Sequence, residues 1–380
     1  MVAFRFVHTA DWHLGQPYRS VPDLAERLRE ARWVAVEAIL KKAEQLPPHI
    51  VLAAGDQFDS PTPNPALVER LLETVAAHPS VTVYMIPGNH DPLRPRSVYV
   101  SPAFGKRPPN LIVLDRPEPV ALDGSRVTLY PCPCTAQWGD NPLTWIPRRQ
   151  PGQQLRIALA HGSLPSACQS DQRSYPIDIN APSRYDLDYV ALGDWHRPTP
   201  PPAEDAAARM YYPGAPEIGG WDEPDAGQAL VVELEPGALP RVAAFRTGQY
   251  TWRTLDADLA DDSDLDQLLA QVKSSASQTT LLRLRLTGCL GAVARDRLEQ
   301  ALDQYAAQFA RLEPNLDALA CRSDDSALET TDPRLHHVFQ ALTRLADDPS
   351  ALPANWPKDL PRPDAATIAR ALSFARRHLS

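Results

Sequence analysis

Residues Tyr189–Pro198 read YVALGDWHRP. An apolar run of the kind buried on both faces as a strand stops at Gly193, and Asp194 and His196 follow with Trp195 between them. One such strand end has three readings: a pair of metal ligands, a proton-transfer pair, or a capped strand. Recurrence decides among them. FRFVHTADWH (from Phe4), HIVLAAGDQFD (from His49), VTVYMIPGNHD (from Val81) and LRIALAHG (from Leu155) repeat the pattern, each a short apolar run with a polar cluster at its C-terminal end.

Helices are expected between the first three runs. One spans about Asp23 to Gln45, opening on an Asp23/Glu26 capping box, and another starts at Asn64-Pro65. Alternating strands and helices predict an α/β fold, in which ligands sit outside the carboxyl ends of the strands. All five polar clusters fall there. PVALDGSRVTLYP reads as a hairpin turning at Asp123-Gly124, and QALVVELEPGALPRVAAF as a second hairpin that closes the first domain near residue 247. The acidic LDADLADDSDLD begins a second unit, 248–325, with a helix, the strand TLLRLRLTG, a helix from Ala292 to Leu312 and the strand LDALACRS. A helical tail, 326–380, completes the chain.

The 380 residues are 43% hydrophobic and 22% charged, ordinary for a globular protein. The 40 prolines cluster in stretches such as RPRSVYVSPAFGKRPPN and predict long, stiffened surface loops. No apolar run approaches the ~20 residues that span a bilayer, and the N-terminus does not resemble a signal peptide, so a cytoplasmic protein is expected. Five cysteines do not suggest a disulfide framework, and Cys132 and Cys134 of PCPC read as ordinary thiols rather than a zinc knuckle. A net charge of −9 argues against bulk electrostatic binding of nucleic acid and suits a site that collects cations.

The clusters supply Asp11 and His13; Asp56 and Asp59; Asn89, His90 and Asp91; His161; and Asp194 and His196. Singly, each has a bland reading: a structural histidine in HG, a turn at GD, a helix cap at Asp59 or Asp91. Five in order, each ending a strand, favour a metal site. Carboxylates, imidazoles and one amide, without thiolate, suit manganese, iron, magnesium or zinc. Two ions about 3.5–4 Å apart can clamp a phosphate and activate a water, given a bridging carboxylate.

DWH, GDQFD, GNHD, HG and GDWH resemble the ordered signature of calcineurin-like metallophosphoesterases, and FRFVHTADWHLG with the trailing α/β module resembles the SbcD-like DNA-repair exonuclease branch. The resemblance implies a sandwich of two mixed β-sheets flanked by helices, with a small C-terminal α/β cap domain. It implies that Asp11, His13, Asp56 and His196 hold one divalent ion, manganese before magnesium, iron or zinc, and that Asp56, Asn89, His161 and Asp194 hold the other. His90 would act on the leaving side of the scissile phosphate, Asp91 would orient its ring, and Asp59 would stand behind the ligands. That branch reads Gly-His-x-His where this chain has Gly193-Asp194-Trp195-His196, so a carboxylate replaces an imidazole. The implied function is a metal-dependent DNA nuclease with an SMC-like, SbcC-type ATPase partner and a homodimeric form. A phosphodiesterase or phosphatase of nucleotides or other small phosphoesters is the alternative.

Arg94 and Arg96, with Lys106, Arg107, Tyr99 and Phe104, and then Arg148, Arg149 and Arg197, read either as a strand-guiding track or as ordinary solvated loop charges. Trp195 is expected to pack rather than stack on a base, and His8 to be a buried strand histidine. The stripe Ile368, Leu372, Ala375 and Leu379 suits either a partner coiled coil or the chain's own core.

Overall fold

The structure, a computed structural model, describes residues 3–122, 124, 126–152, 155–164, 174–198, 206–322, 333–348, 362–364, 367, 368 and 371. The chain divides into two compact units, Met1–Tyr250 and Thr251–Ser380. No helix among the described residues is long and apolar enough to cross a membrane.

The first unit runs β1 (Phe4–Thr9), α1 (Ala25–Glu44), β2 (Ile50–Ala53), α2 (Pro65–Ala76), β3 (Thr82–Met85), β4 (Leu111–Val113), β5 (Val120–Leu122), β6 (Val127–Cys132) and β7 (Leu155–His161). It continues with α3 (Ala181–Arg184), β8 (Tyr189–Gly193), β9 (Met210–Tyr211), β10 (Gln228–Leu234) and β11 (Arg241–Arg246). One sheet has the order β11-β10-β1-β2-β3-β4 and the other β5-β6-β7-β8-β9. Strands β1 to β4 run parallel, as do β6 to β9, while β5, β10 and β11 pair antiparallel, so both sheets are mixed.

Alternation along the strands builds three packed layers. Phe6, Leu52, Leu129, Ile157, Leu159 and Tyr189 meet in a core that joins the two sheets. Their neighbours Val7, Val51 and Ala53 pack instead under Trp33, Val36, Ile39, Leu71 and Val75 of α1 and α2. Ala158, Ala160, Val190 and Leu192 face a third cluster with Leu143, Ile177 and Leu187. Burial on both faces is why these strands read as unbroken apolar runs.

Several boundaries differ from expectation. Helix α1 starts at Ala25 behind Leu24, two residues beyond the expected start at Asp23. Turn bonds from Val21 to Tyr18 and from Leu24 to Val21 lead the chain into the helix, and Glu26 pairs with Arg29 at 2.6 Å. Asn64 does cap α2, accepting from Ala66 N at 3.0 Å. Asp123 of the first expected turn lies outside the described residues.

The second unit comprises β12 (Thr251–Leu259), α4 (Asp262–Ser274), β13 (Thr280–Gly291), α5 (Ala292–Ala306), β14 (Arg311–Arg322) and α6 (Pro333–Asp347). Its parallel sheet, β12-β13-β14, packs Leu282, Leu284 and Leu286 against Leu265, Leu268, Leu298 and Leu302. The first half of the acidic stretch is strand, and α4 begins only where Asp261 caps Ser263 N and Asp264 N. Helix α5 stops short of Leu312, because pairing with β13 claims the chain from Arg311 onward. Of the C-terminal stripe, Ile368 is buried; Leu372, Ala375 and Leu379 lie outside the described residues.

Candidate metal centre

The C-terminal ends of β1, β2 and β3 in one sheet and of β7 and β8 in the other bring the five polar clusters together. The loops after β1 and β2 are tied backbone to backbone: Asp11 N donates to Gly55 O at 3.1 Å and His13 N to Asp56 O at 3.0 Å. Asp194 N donates to the Asp11 carboxylate at 3.1 Å, linking the two sheets. Four of the clustered residues have left-handed backbones: Asp11 (φ 55°), His13 (42°), Asp56 (55°) and Asp194 (104°). Such conformations cost a non-glycine residue about 1–3 kcal/mol each and concentrate at functional sites. Gly193 serves a different need, since a Cβ there would stand 2.0 Å from Ala54 O and 2.8 Å from the His161 ring.

The Asp56 carboxylate occupies the middle. Its Oδ2 lies 3.5 Å from His13 Nε2 and 3.4 Å from His161 Nε2. His161 Nε2 is also 3.1 Å from Asn89 Oδ1 and 3.7 Å from Asp194 Oδ1. Donor atoms of Asp11, His13 and His196 lie within 4.8 Å of one another, as do those of Asp11, Asp56 and His161, and those of His13, Asp56 and His90.

The far nitrogen of each inward imidazole is occupied. His13 Nδ1 bonds Asp59 Oδ1 at 3.2 Å, His161 Nδ1 bonds Ala54 O at 2.8 Å, and His196 Nδ1 bonds Glu223 Oε1. Fixing Nδ1 in this way sets the ring and presents Nε2 inward, the habit of metal-bound histidines. His13 Nε2 is buried and has no hydrogen-bond partner among the described residues. This orphaned nitrogen, 3.5 Å from Asp56 Oδ2, belongs to a cluster of carboxylates, imidazoles and one amide oxygen whose chemistry fits a divalent cation.

The electrostatics agree with such a site. Burial pushes the Asp11 carboxyl up to about 7, against the pull of His196 and His161. Burial also raises Asp194, against His161 and its bond from Ser163. Burial opposes a charge on His161, yet the Asp56, Asp11 and Asp194 carboxylates push it well above the usual imidazole range. His13 is driven down to about 4, chiefly by burial. Crowded, buried carboxylates without enough positive charge are what a bound cation would relieve.

Three expectations need correction. Asp91 does not orient the His90 ring: its Oδ1 accepts from Gly88 N at 2.7 Å, and its Oδ2 from Phe58 N at 3.0 Å and Tyr99 Oη at 2.7 Å. Successive side chains of this turn diverge, so Asp91 is buried while His90 is exposed. His90 is instead fixed through its amide, which donates to Asp56 Oδ1 at 2.8 Å. Tyr99 and Phe104 are buried in the core and offer no stacking surface. Arg197 is exposed but ion-paired to Asp225 at 2.6 Å, and Arg149 to Asp188 at 2.7 Å, whereas Arg94 and Arg96 are exposed.

Elsewhere, His8 is fully buried between Tyr189 Oη and Leu192 O. Trp195 packs partly buried on the outer cluster of the second sheet. Cys132 and Cys134 are buried thiols, with burial raising Cys132 to about 12 and Cys134 well above its ordinary value. Sequence reasoning missed Glu223, Ser163 and Ser174. Ser163 Oγ donates to Asp194 Oδ2 at 2.5 Å, and Asn89 Nδ2 donates to Ser174 Oγ at 3.2 Å. Nothing in GGWDEPDAG, HGSLP or QRSYP marks these residues.

A family model described as calcineurin-like phosphoesterase matches residues 4–198. The chain is 24% identical over 370 residues to the uncharacterized metallophosphoesterase YhaO of Bacillus subtilis (strain 168), covering 89% of this chain and 87% of that protein. It is 30% identical over 90 residues to the D component of the nuclease SbcCD from Staphylococcus saprophyticus, covering 23% of each chain. The corresponding D component from Staphylococcus epidermidis is 29% identical over 90 residues, again 23% of each.

Proposed function

The chain belongs to the calcineurin-like phosphoesterase family, and on that premise we propose that it is a cytoplasmic, manganese-dependent phosphodiesterase whose substrate is DNA. Metal-dependent phosphoester hydrolysis follows from the family. The two-ion part of this reading is supported by one observation: Asp56 Oδ2 stands within 3.5 Å of both His13 Nε2 and His161 Nε2, where one carboxylate could serve two cations. Asp11, His13, Asp56 and His196 would hold one ion, and Asp56, Asn89, His161 and Asp194 the other. When bound, the pair supplies a water of lowered pKa and counter-charge for the phosphate.

The chain's own residues do the rest. Asp59, Glu223 and the Ala54 carbonyl keep three imidazoles turned inward. His90, exposed beside His13 with ring centroids 4.9 Å apart, donates a proton to the leaving oxygen. Arg94 and Arg96 approach the phosphate backbone. The SbcCD relatives support a nuclease and, by their name, assembly with a second component; we extend the proposal to an SbcC-type coiled-coil ATPase and to a homodimer.

A small phosphoester is the second reading. It is favoured by the burial of Tyr99 and Phe104 and by the Arg197–Asp225 pair, which take residues away from a strand-guiding track. Manganese-dependent cleavage of end-labelled linear duplex DNA separates the two. Loss of label is expected. Intact DNA alongside rapid hydrolysis of bis(4-nitrophenyl) phosphate would move the substrate to small phosphoesters, and hydrolysis of neither would reject the enzyme reading.

A further inference from the structure

The substitution of a carboxylate for the family's imidazole at Asp194 raises a geometric problem. An imidazole whose other nitrogen is bonded offers one donor atom in a fixed direction. A carboxylate offers two oxygens and a soft terminal torsion, so it can chelate, bridge or swing toward another charge. Three carboxylates, Asp11, Asp56 and Asp194, share this site, and their repulsion would favour such a swing.

We infer that Ser163 is a positioning residue that makes Asp194 a one-oxygen ligand: its hydroxyl occupies Oδ2 and leaves Oδ1, on the side of His161 and Asn89, as the oxygen that faces the metal centre. The inference rests on the metal reading above. Ser163 Oγ donates to Asp194 Oδ2 at 2.5 Å, while Oδ1 accepts from Asn89 Nδ2 at 3.4 Å and lies 3.7 Å from His161 Nε2. The hydroxyl is itself held still. Ser163 is 5% exposed; its amide donates to Ser174 O at 3.0 Å and its carbonyl accepts from Ile177 N at 3.0 Å. Ser163 stands two residues after His161, so the end of β7 supplies both a ligand and the lock on another ligand. Asp194 is pinned from its backbone as well, through its amide bond to Asp11 Oδ1 and a φ of 104°. Ser174 takes the Asn89 amide nitrogen in parallel fashion, leaving Asn89 Oδ1 toward His161.

The test is manganese binding, read by the electron paramagnetic resonance signal of free Mn²⁺ during titration of the whole chain. Wild type, Ser163→Ala, Asp194→His and the double variant are compared, with far-ultraviolet circular dichroism as the folding control. Two ions are expected in wild type. In Ser163→Ala, one should bind about 10-fold or more weakly, as when a group behind a ligand is removed, with the other unchanged. In the Asp194→His background, removing the hydroxyl should change neither, because an imidazole has no second oxygen to restrain. Unchanged binding of both ions by Ser163→Ala would overturn the inference and leave the metal reading standing. So would equal weakening of both ions, or the same loss in the Asp194→His background, since either marks a general structural role. No manganese binding by wild type would remove the metal reading and this inference together.

Discussion

Glu223 holds His196 in place: the imidazole Nδ1 bonds Oε1 of the carboxylate, and Oε2 accepts from Gly219 N at 2.7 Å. Burial opposes charge on both groups, yet the contact raises His196 to about 9 and lowers Glu223 to about 2. Glu223→Ala should therefore leave a folded protein whose divalent metal affinity is lower by about 10–100-fold, the usual consequence of losing a ligand's outer partner. Titration with manganese checks this. Wild-type affinity would show that His196 needs no such support.

His90 separates chemistry from binding. Its side chain is exposed and its structural contact is made by the backbone amide, which an alanine keeps. His90→Ala should retain both metal ions and the wild-type melting temperature while losing about 10²–10⁴-fold in kcat, the range for a general acid. A loss that appears only in metal affinity would make His90 a ligand instead.

Asp91 belongs to stability. Its carboxylate takes the amides of Gly88 and Phe58 and the Tyr99 hydroxyl in a fully buried setting. Asp91→Ala would leave the two amides without that acceptor, at about 1–3 kcal/mol for each one left unsatisfied, while the Tyr99 hydroxyl keeps Gln57 Oε1 at 2.8 Å. Tyr99→Phe removes a single donor and should cost about 1 kcal/mol. Urea unfolding midpoints measure both. A normal midpoint with lost activity in Asp91→Ala would restore a direct role beside His90.

The pH dependence of stability should carry the mark of His8. Leu192 O can only accept, so Nε2 bears the proton and Nδ1 accepts from Tyr189 Oη, which makes the ring neutral. Burial drives its pKa from 6.5 down to about 3. A group depressed in the folded state contributes its full stability above the unfolded pKa and loses it as pH falls toward the folded one. Between pH 6.5 and 3, this residue alone should reduce stability by up to about 1.4 kcal/mol per pH unit. His8→Gln, which keeps a donor and an acceptor, should flatten that slope. An identical slope in both proteins would assign acid sensitivity to other groups.

Local chemistry made much of this protein legible. Tyr189–Gly193 reads as a buried strand because burial on both faces requires an unbroken apolar run, and Asp194 and His196 stand out because that run ends on them. Asn64-Pro65 announces a helix start because the cap is made within three residues. Where adjacency was taken for contact, the reading failed. Asp91 follows His90 in the chain, but the turn sends one side chain into the core and the other to solvent.

The amino-acid sequence by itself determined where the central strands fall along the chain, their ends as the place of the site, and the residue types that converge there. Each of these follows from periodicity and from the ligand chemistry of single side chains. Tertiary structure alone decided which distant partners hold His196, Asp194 and Asn89. Glu223 lies 27 residues from His196, Ser163 lies 31 from Asp194, and Ser174 lies 85 from Asn89. It also decided that Tyr99 is buried rather than offered to a substrate, and that Arg197 is spent on Asp225. Hydrogen bonds and ion pairs between loops depend on how two sheets stack, and no spacing along the chain encodes that distance.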